Sequence, residues 1–396
     1  MPERRSDERL SARILMGPGP SNIHPRVMQA LARPTLGHMD PAYFQIMDEV
    51  QTLLRETFRT RNALTLALPV TGMGAMEASL VNLLEPGDTA LICVNGVFSG
   101  RVAEIAERLG AQVRRIAVPW GRSTPVEEVE RALKAQPAKL VAFVHGETST
   151  GVLQTHVPEL AQCCHAAGAL LLADTVASLG GTEFKMDAWE VDAAYSGSQK
   201  CLSVPPGIAP LTFGPRAEEV LARRKQKVAS WFLDLTLIRK YWNEERAYHH
   251  TGPVHMTYAL LEGLRLVQEE GLDNRLARHA QMARALCAGL EALGLQLYVT
   301  NAAERLPTVT TVRVPEGADD ARVRKALLER HGLEIGGGLG EWKGKAWRVG
   351  LMGEGASPNH VLLFLSALGG ILKAQGVAGL QPGAGVEAAA AVMHAG

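Results

Sequence analysis

"ALLLADTVASLGGTEFKMDAWEVDAAYSGSQKCL", residues 169–202, decides the fold. It opens on an apolar run, "ALLLAD" (169–174), that ends in an acid. It closes on a second, "DAAYSG" (192–197), that runs into small polar residues and one lysine. A strand that is apolar on both faces is a strand covered on both sides, which is the situation inside a parallel α/β sheet. The same signal recurs at 64–68, 89–94, 111–118, 139–146 and 209–213, giving seven strands in all. Segments such as "GAMEASLVNLL" and "SGRVAEIAERLG" fill the gaps with helical spacing. The pattern predicts an α/β fold with a mostly parallel, seven-stranded sheet.

The pattern changes after about residue 255. "MTYALLEGLRLVQEEG" and "NRLARHAQMARALCAGLEALG" read as amphipathic helices with Gly271 as a C-cap between them. "TVTTVRV", a helix around 320–330 and "KAWRVGL" then imply a smaller α+β domain. The expected organisation is an N-terminal arm (1–22), a large domain (23–272), a small C-terminal domain (273–380) and a loose Ala/Gly-rich tail (381–396).

Composition removes several classes of function. Forty-one basic and forty-one acidic side chains cancel, so no global field attracts nucleic acid or an anionic membrane. No apolar run approaches the roughly 18 residues of a membrane-spanning helix. The five cysteines include no CxxC pair, which favours a reducing compartment over a disulfide framework. The opening "MPERRSDERLSARILMGPGP" carries both charge signs and lacks the apolar stretch of a signal peptide, so it reads as a disordered leader. Its acids also argue against a transit peptide, and the ending "MHAG" is not a peroxisomal signal, so the expected location is cytoplasmic. His249 and His250 are adjacent, which is not metal-ligand spacing, and no metal is expected.

Three features fall at the carboxyl ends of strands, where ligands collect in open α/β sheets. Thr71-Gly72-Met73-Gly74 follows a strand and opens a helix, whose free N–H groups and dipole suit an anion, although a plain tight turn would look the same. Asp174 closes a buried strand, where it either caps the next helix or stays ionised against a buried cationic nitrogen. Lys200 is the only charged residue between Asp192 and Arg216. It is either a surface loop lysine or a desolvated amine able to form a Schiff base. A phosphate cradle, a carboxylate and such an amine are together the parts that hold pyridoxal phosphate.

At this point the chain resembles a known family, the class-V aminotransferases of fold type I, and among them the alanine–glyoxylate and serine–pyruvate aminotransferases. The likeness rests on "LMGPGPSNIHPRVM", "LGHMDPAYFQIMDEV", "TGMGAMEASLVNLLEPGD", "NGVFSGR", "HGETSTGVLQ", residues 174–207, "YHHTGPV", "RLPTVTTVRVP" and "GGLG…WRVGLMG", in family order from residue 14 to about 355. The resemblance implies a large pyridoxal-phosphate domain in which Lys200 carries the cofactor and Asp174 pairs with its pyridine nitrogen. It implies further that Ser149 bonds the phenolic oxygen, that Val176 packs on one ring face, and that Phe98 stacks on the other where the family often has Trp. Gly72, Met73 (through its backbone, since the family often has His there) and Gln199 would hold the phosphate. Tyr248 and Thr251 would reach it from the second subunit of a homodimer. Arg348 would clamp the substrate carboxylate, and Gly19 and Ser149 would line the substrate site with the 335–340 loop. The implied activity is ping-pong transamination of a small amino acid, alanine or serine, with glyoxylate or pyruvate.

Other readings stay in view. 2-Aminoethylphosphonate or ureidoglycine transamination would use the same scaffold. A cysteine desulfurase would need a reactive thiol, for which Cys201 and Cys287 are poorly placed. A catalytically silent interaction protein would have lost Lys200, Asp174 or Arg348, and all three are present.

Overall fold

The computed structural model describes residues 12–395, so the part of the expected leader before residue 12 lies outside the described residues. The seven apolar runs form one sheet. In chain order they are β1 (Leu64–Leu68), β2 (Thr89–Val94), β3 (Gln112–Ala117), β4 (Leu140–Val144), β5 (Leu170–Asp174), β6 (Ala193–Tyr195) and β7 (Ala209–Phe213). Their spatial order is β1-β7-β6-β5-β4-β2-β3. The pairs among β3, β2, β4, β5 and β6 are parallel, while β7 runs antiparallel to both β6 and β1. Every residue of β1, β4, β5 and β7 is buried, as their unbroken apolar sequences require. The charged "QVRRIA" of β3 takes the edge, where its outward side chains reach water.

Helices follow the strands. α1 (Gly72–Leu83) leaves β1 and α2 (Val97–Arg108) leaves β2. The two expected amphipathic helices are α3 (Val254–Glu270) and α4 (Leu272–Ala292), separated by Gly271 at φ 81°, a conformation glycine adopts freely. α4 turns Met282, Leu286 and Leu290 into a second apolar cluster, distinct from the one around the large sheet. That cluster is built on a three-stranded antiparallel sheet, order β8-β10-β9, from β8 (Val309–Arg313), β9 (Gly336–Gly337) and β10 (Ala346–Gly350). α5 (Pro358–Ala374) covers it with Phe364, Leu365 and Leu368.

The loose tail is corrected. Residues 382–394 form a helix, α6 (Pro382–His394), lying against α4 and α5. Its Ala/Gly content serves close packing. A Cβ at Gly385 would fall 2.5 Å from Leu293 Cγ and 2.9 Å from the Gly289 carbonyl oxygen. Small residues here permit two helix backbones to approach, where composition alone suggested a chain with nothing to bury.

The start of the described chain also has a fixed place. Ile14–Leu15 pairs in parallel with Leu333–Glu334, and Gly350 N–H donates to the Met16 carbonyl (2.7 Å). From there residues 17–22 run across to the carboxyl edge of the large sheet, where Ser21 meets the segment around Lys200.

Candidate active site

A cavity of about 190 Å³ opens at that edge, lined by Gly72, Met73, Phe98, Thr148, Asp174, Val176, Gln199 and Lys200 among others. The topology gathers them. Gly72 and Phe98 stand at the starts of α1 and α2, Thr148 follows β4, Asp174 ends β5, and Gln199–Lys200 lie between β6 and β7.

Asp174 is buried and takes two hydrogen bonds, from Val176 N–H (2.8 Å, Oδ1) and the Tyr195 hydroxyl (2.9 Å, Oδ2). Burial pushes its carboxyl up to about 7, against the pull of those donors, and the negative Glu147 adds to the rise while Lys200 opposes it. Such a carboxyl is only partly ionised at neutral pH, and a cation set against it would hold it ionised. It also caps the following turn through Val176, as the capping reading expects.

Lys200 is buried too, and desolvation lowers its amine to about 8. Its Nζ donates to the Pro18 carbonyl. The backbone beneath it is held at three successive carbonyls: Gln199 by Ser21 N–H (2.8 Å), Lys200 by the Ser21 hydroxyl (2.6 Å) and Cys201 by Arg275 Nη2 (2.6 Å). Arg275 is itself buried and paired with Glu270 (2.6 Å). Gly19, at φ 101°, lets the arm touch the lysine, since a Cβ there would sit 2.5 Å from Lys200 Cδ.

Arg348, on β10, is 8% exposed and anchored by its Nε to the Gly337 carbonyl (2.8 Å) and by Nη1 to the Thr148 carbonyl (3.2 Å). Burial lowers it to about 10, with Glu147 acting the other way. Among the described residues it makes no ion pair within 4 Å, unlike the buried Arg275. A buried guanidinium whose own anchors are two neutral carbonyls has capacity left for a small carboxylate.

The site fits a phosphorylated ring with a cationic nitrogen. α1 begins at Gly72 with no side-chain cap, which leaves the first N–H groups of its first turn free for an anion. Gln199 lines the same cavity, and among the described residues its buried Oε1 has no partner, so the amide could turn to offer its N–H₂ to an anion. Met73 Sδ lies 3.8 Å from Arg101 Nη1, and its backbone N–H stands in the first turn of α1. A Cβ on Gly72 would close to 3.1 Å on Val176 Cγ2, so glycine keeps the cradle and the ring face close together. Phe98 is half-buried on another wall, with the Arg101 guanidinium 5.0 Å from its ring centroid.

One expectation meets a different geometry. Ser149 does not line the cavity; its hydroxyl donates to Glu147 Oε1 (2.6 Å) and accepts from Val97 N–H (2.9 Å). Its one O–H donor is spent on Glu147, and the neighbouring Thr148 lines the cavity instead. Tyr248 (63% exposed) and Thr251 stand on the surface, outside their own chain's cavity. Sequence reasoning missed Glu147 and Arg275. The first was visible as an acid inside "HGETSTG", but nothing local tells a buried carboxylate from a surface one. The thiols behave as expected: Cys201 and Cys287 are buried and raised by burial, and neither lines the cavity.

The comparisons agree with this geometry. The aminotransferase class-V family model matches residues 17–340. The chain is 45% identical to the alanine–glyoxylate aminotransferase of Callithrix jacchus, over 91% of this chain and 87% of that protein. The crystal structure of an alanine–glyoxylate aminotransferase from Nostoc sp. is similar at a TM-score of 0.91 and 47% identity, covering 93% of this chain and 97% of the other. That of the ureidoglycine–glyoxylate aminotransferase of Bacillus subtilis is similar at 0.94 and 40%, covering 97% and 99%.

Proposed function

Because the chain belongs to the class-V aminotransferases and uses pyridoxal phosphate on their fold-type-I scaffold, we propose that it transfers the amino group of a small amino acid, alanine or serine, to glyoxylate or pyruvate. The observation that carries the substrate class is Arg348, a buried guanidinium without a carboxylate partner among the described residues, whose anchor Thr148 lines the same cavity as Lys200. It suits an α-carboxylate, and the modest cavity suits a short side chain. Glyoxylate figures in the names of the Callithrix jacchus, Nostoc sp. and B. subtilis relatives alike.

Bound pyridoxal phosphate supplies an aldehyde for the amine and a protonated ring that draws off the electron pair left at the substrate α-carbon. Lys200 provides the amine that holds it and, when released, the base that moves the α-carbon proton. An amine near 8 has a useful neutral fraction at working pH. Asp174 accepts the ring N–H and so keeps that nitrogen protonated. Gly72 N–H, Met73 N–H and the Gln199 amide bind phosphate, Phe98 and Val176 enclose the ring, and Thr148 takes the place expected of Ser149 beside it. Gly19 keeps the arm close over the substrate.

The exposed Tyr248 and Thr251 support a homodimer in which each 248–251 segment completes the partner's phosphate site. Among the described residues no helix is long and apolar enough to cross a membrane. The free cysteines support a reducing, cytoplasmic setting.

A donor-by-acceptor matrix with the holoenzyme tests this: alanine, serine and (S)-ureidoglycine, each against glyoxylate and pyruvate. Alanine or serine with glyoxylate should give the highest kcat/KM. A clear preference for ureidoglycine would favour the second reading, which the 40% identity to the B. subtilis enzyme keeps open. Loss of amino transfer to both acceptors would sink the proposal.

A further inference from the structure

Glu147 is completely buried, yet it does not line this cavity and takes no part in the chemistry described so far. Its carboxylate receives five hydrogen bonds. Oε1 accepts from the Ser149 hydroxyl (2.6 Å), Ser149 N–H (3.1 Å) and Phe98 N–H (3.4 Å). Oε2 accepts from Ser99 N–H (2.9 Å) and the Ser99 hydroxyl (3.1 Å). Two donors, Phe98 and Ser99 N–H, belong to the first turn of α2, where an anion is favoured by the free N–H groups and the helix dipole. The backbone makes room for it: a Cβ on Gly96 would lie 2.4 Å from Glu147 Cγ.

The residues it grips are the neighbours of the working surface. Phe98 presents its ring to the cavity from the turn that Glu147 caps. Thr148 sits between Glu147 and Ser149, and its carbonyl supports Arg348. The charge of Glu147 also favours the cationic forms of Lys200 and Arg348. A carboxylate that merely capped a helix would need neither the Ser149 clasp nor this location between the ring wall and the arginine.

We propose that Glu147 is a positioning residue: by binding the start of α2 and the 147–149 turn to one another, it fixes the Phe98 ring and Thr148 at the cofactor. The proposal rests on the reading of this cavity as the pyridoxal phosphate site. The acting groups are Phe98 and Thr148, and Glu147 works through them.

The test uses apo protein of wild type, Glu147→Gln, Phe98→Ala and the double variant, each titrated with pyridoxal phosphate and followed by affinity and by the induced circular dichroism of the bound cofactor. The amide of Glu147→Gln keeps the volume but turns an N–H₂ toward backbone donors, so it should weaken cofactor affinity roughly tenfold and reduce the induced dichroism. The double variant should lose less than the product of the two single losses, because removing the ring removes much of what Glu147 positions. Wild-type affinity and dichroism in a folded Glu147→Gln protein would overturn the proposal, and so would fully independent effects. If Glu147→Gln does not fold, Ser149→Ala removes the 2.6 Å clasp together with the acceptor of Val97 N–H, both ties between the 147–149 turn and α2, and should shift both readouts in the same direction by a smaller factor. Unchanged readouts there would equally overturn it. A wild-type chain that takes up no pyridoxal phosphate would overturn the reading of the cavity itself, which is a separate result.

Discussion

The two ends of the cavity are built to different standards of completeness. At the lysine end the chain supplies everything itself: three consecutive carbonyls from Gln199 to Cys201 are held by Ser21 and Arg275, from elements far away in sequence. At the other end it offers the uncapped N–H groups of α1 and the Gln199 amide, while Tyr248, Thr251 and Trp231 (64% exposed) lie outside the cavity on the surface. The lesson is a division of labour. On the proposed function, the amine that would make and break bonds is fixed by intrachain packing, and the groups that would retain the cofactor are left for a second copy to complete. Substitutions at the first end should therefore damage turnover, and those at the second should damage cofactor retention.

The largest effect is expected at the lysine. Lys200→Ala removes both the amine that binds the cofactor and the base that moves the proton, so kcat should fall by roughly a thousandfold or more. Steady-state transamination measured with added pyridoxal phosphate checks this, and near-normal multiple turnover would break the assignment. The loss should not come from unfolding. The lysine head group interacts with the Pro18 carbonyl, whereas the clamps on the loop bind its backbone and survive the substitution.

A smaller effect, also at the lysine end, follows from its titration. The folded chain holds the amine near 8, below the ordinary lysine value of about 10.4, because burial disfavours the charged form. The neutral amine is the nucleophile, so uptake of pyridoxal phosphate by the apo chain should speed up as pH rises through 8. Between pH 7 and pH 9 the neutral fraction, and with it the initial rate, should grow about tenfold and then level off. Stopped-flow growth of the cofactor's visible band measures it. A rate still climbing steeply above pH 10 would mean that the amine is not desolvated in solution.

How much of this was legible in the sequence differs in the same way between elements. The interior sheet strands were legible, because a strand buried on both faces must be apolar throughout, and β1, β2 and β7 coincide with the runs at 64–68, 89–94 and 209–213; the charged edge strand β3 was legible only from the strand–helix alternation around it. Lys200 and Asp174 were legible because charge is anomalous in such surroundings. Thr148 and Ser149 were not separable. They lie in a turn closed by Gly151 N–H on the Glu147 carbonyl (2.8 Å), where no alternation says which of two adjacent hydroxyls faces inward. α6 was misjudged because helix-to-helix contact through Gly289 and Gly385 uses the small residues that composition associates with loose chain. Arg275 was invisible for a third reason: its partner, the carbonyl of Cys201, is 74 residues away and belongs to the backbone.

The smallest effect sharpens the comparison most. The Tyr248 hydroxyl has no role in the lysine clamp and lies on the surface of its own chain, so Tyr248→Phe leaves that chain's fold and lysine end untouched. If the hydroxyl reaches a partner's phosphate, its removal costs one hydrogen bond, which corresponds to a few-fold weaker cofactor affinity. Equilibrium titration of apo protein should show that loss, while kcat at saturating pyridoxal phosphate stays at the wild-type value. A fall in kcat without a change in affinity would reverse the assignment of the two ends. No change in either would mean that the α1 N–H groups and Gln199 hold the phosphate alone, and that the outward face at 248–251 serves assembly without entering the site.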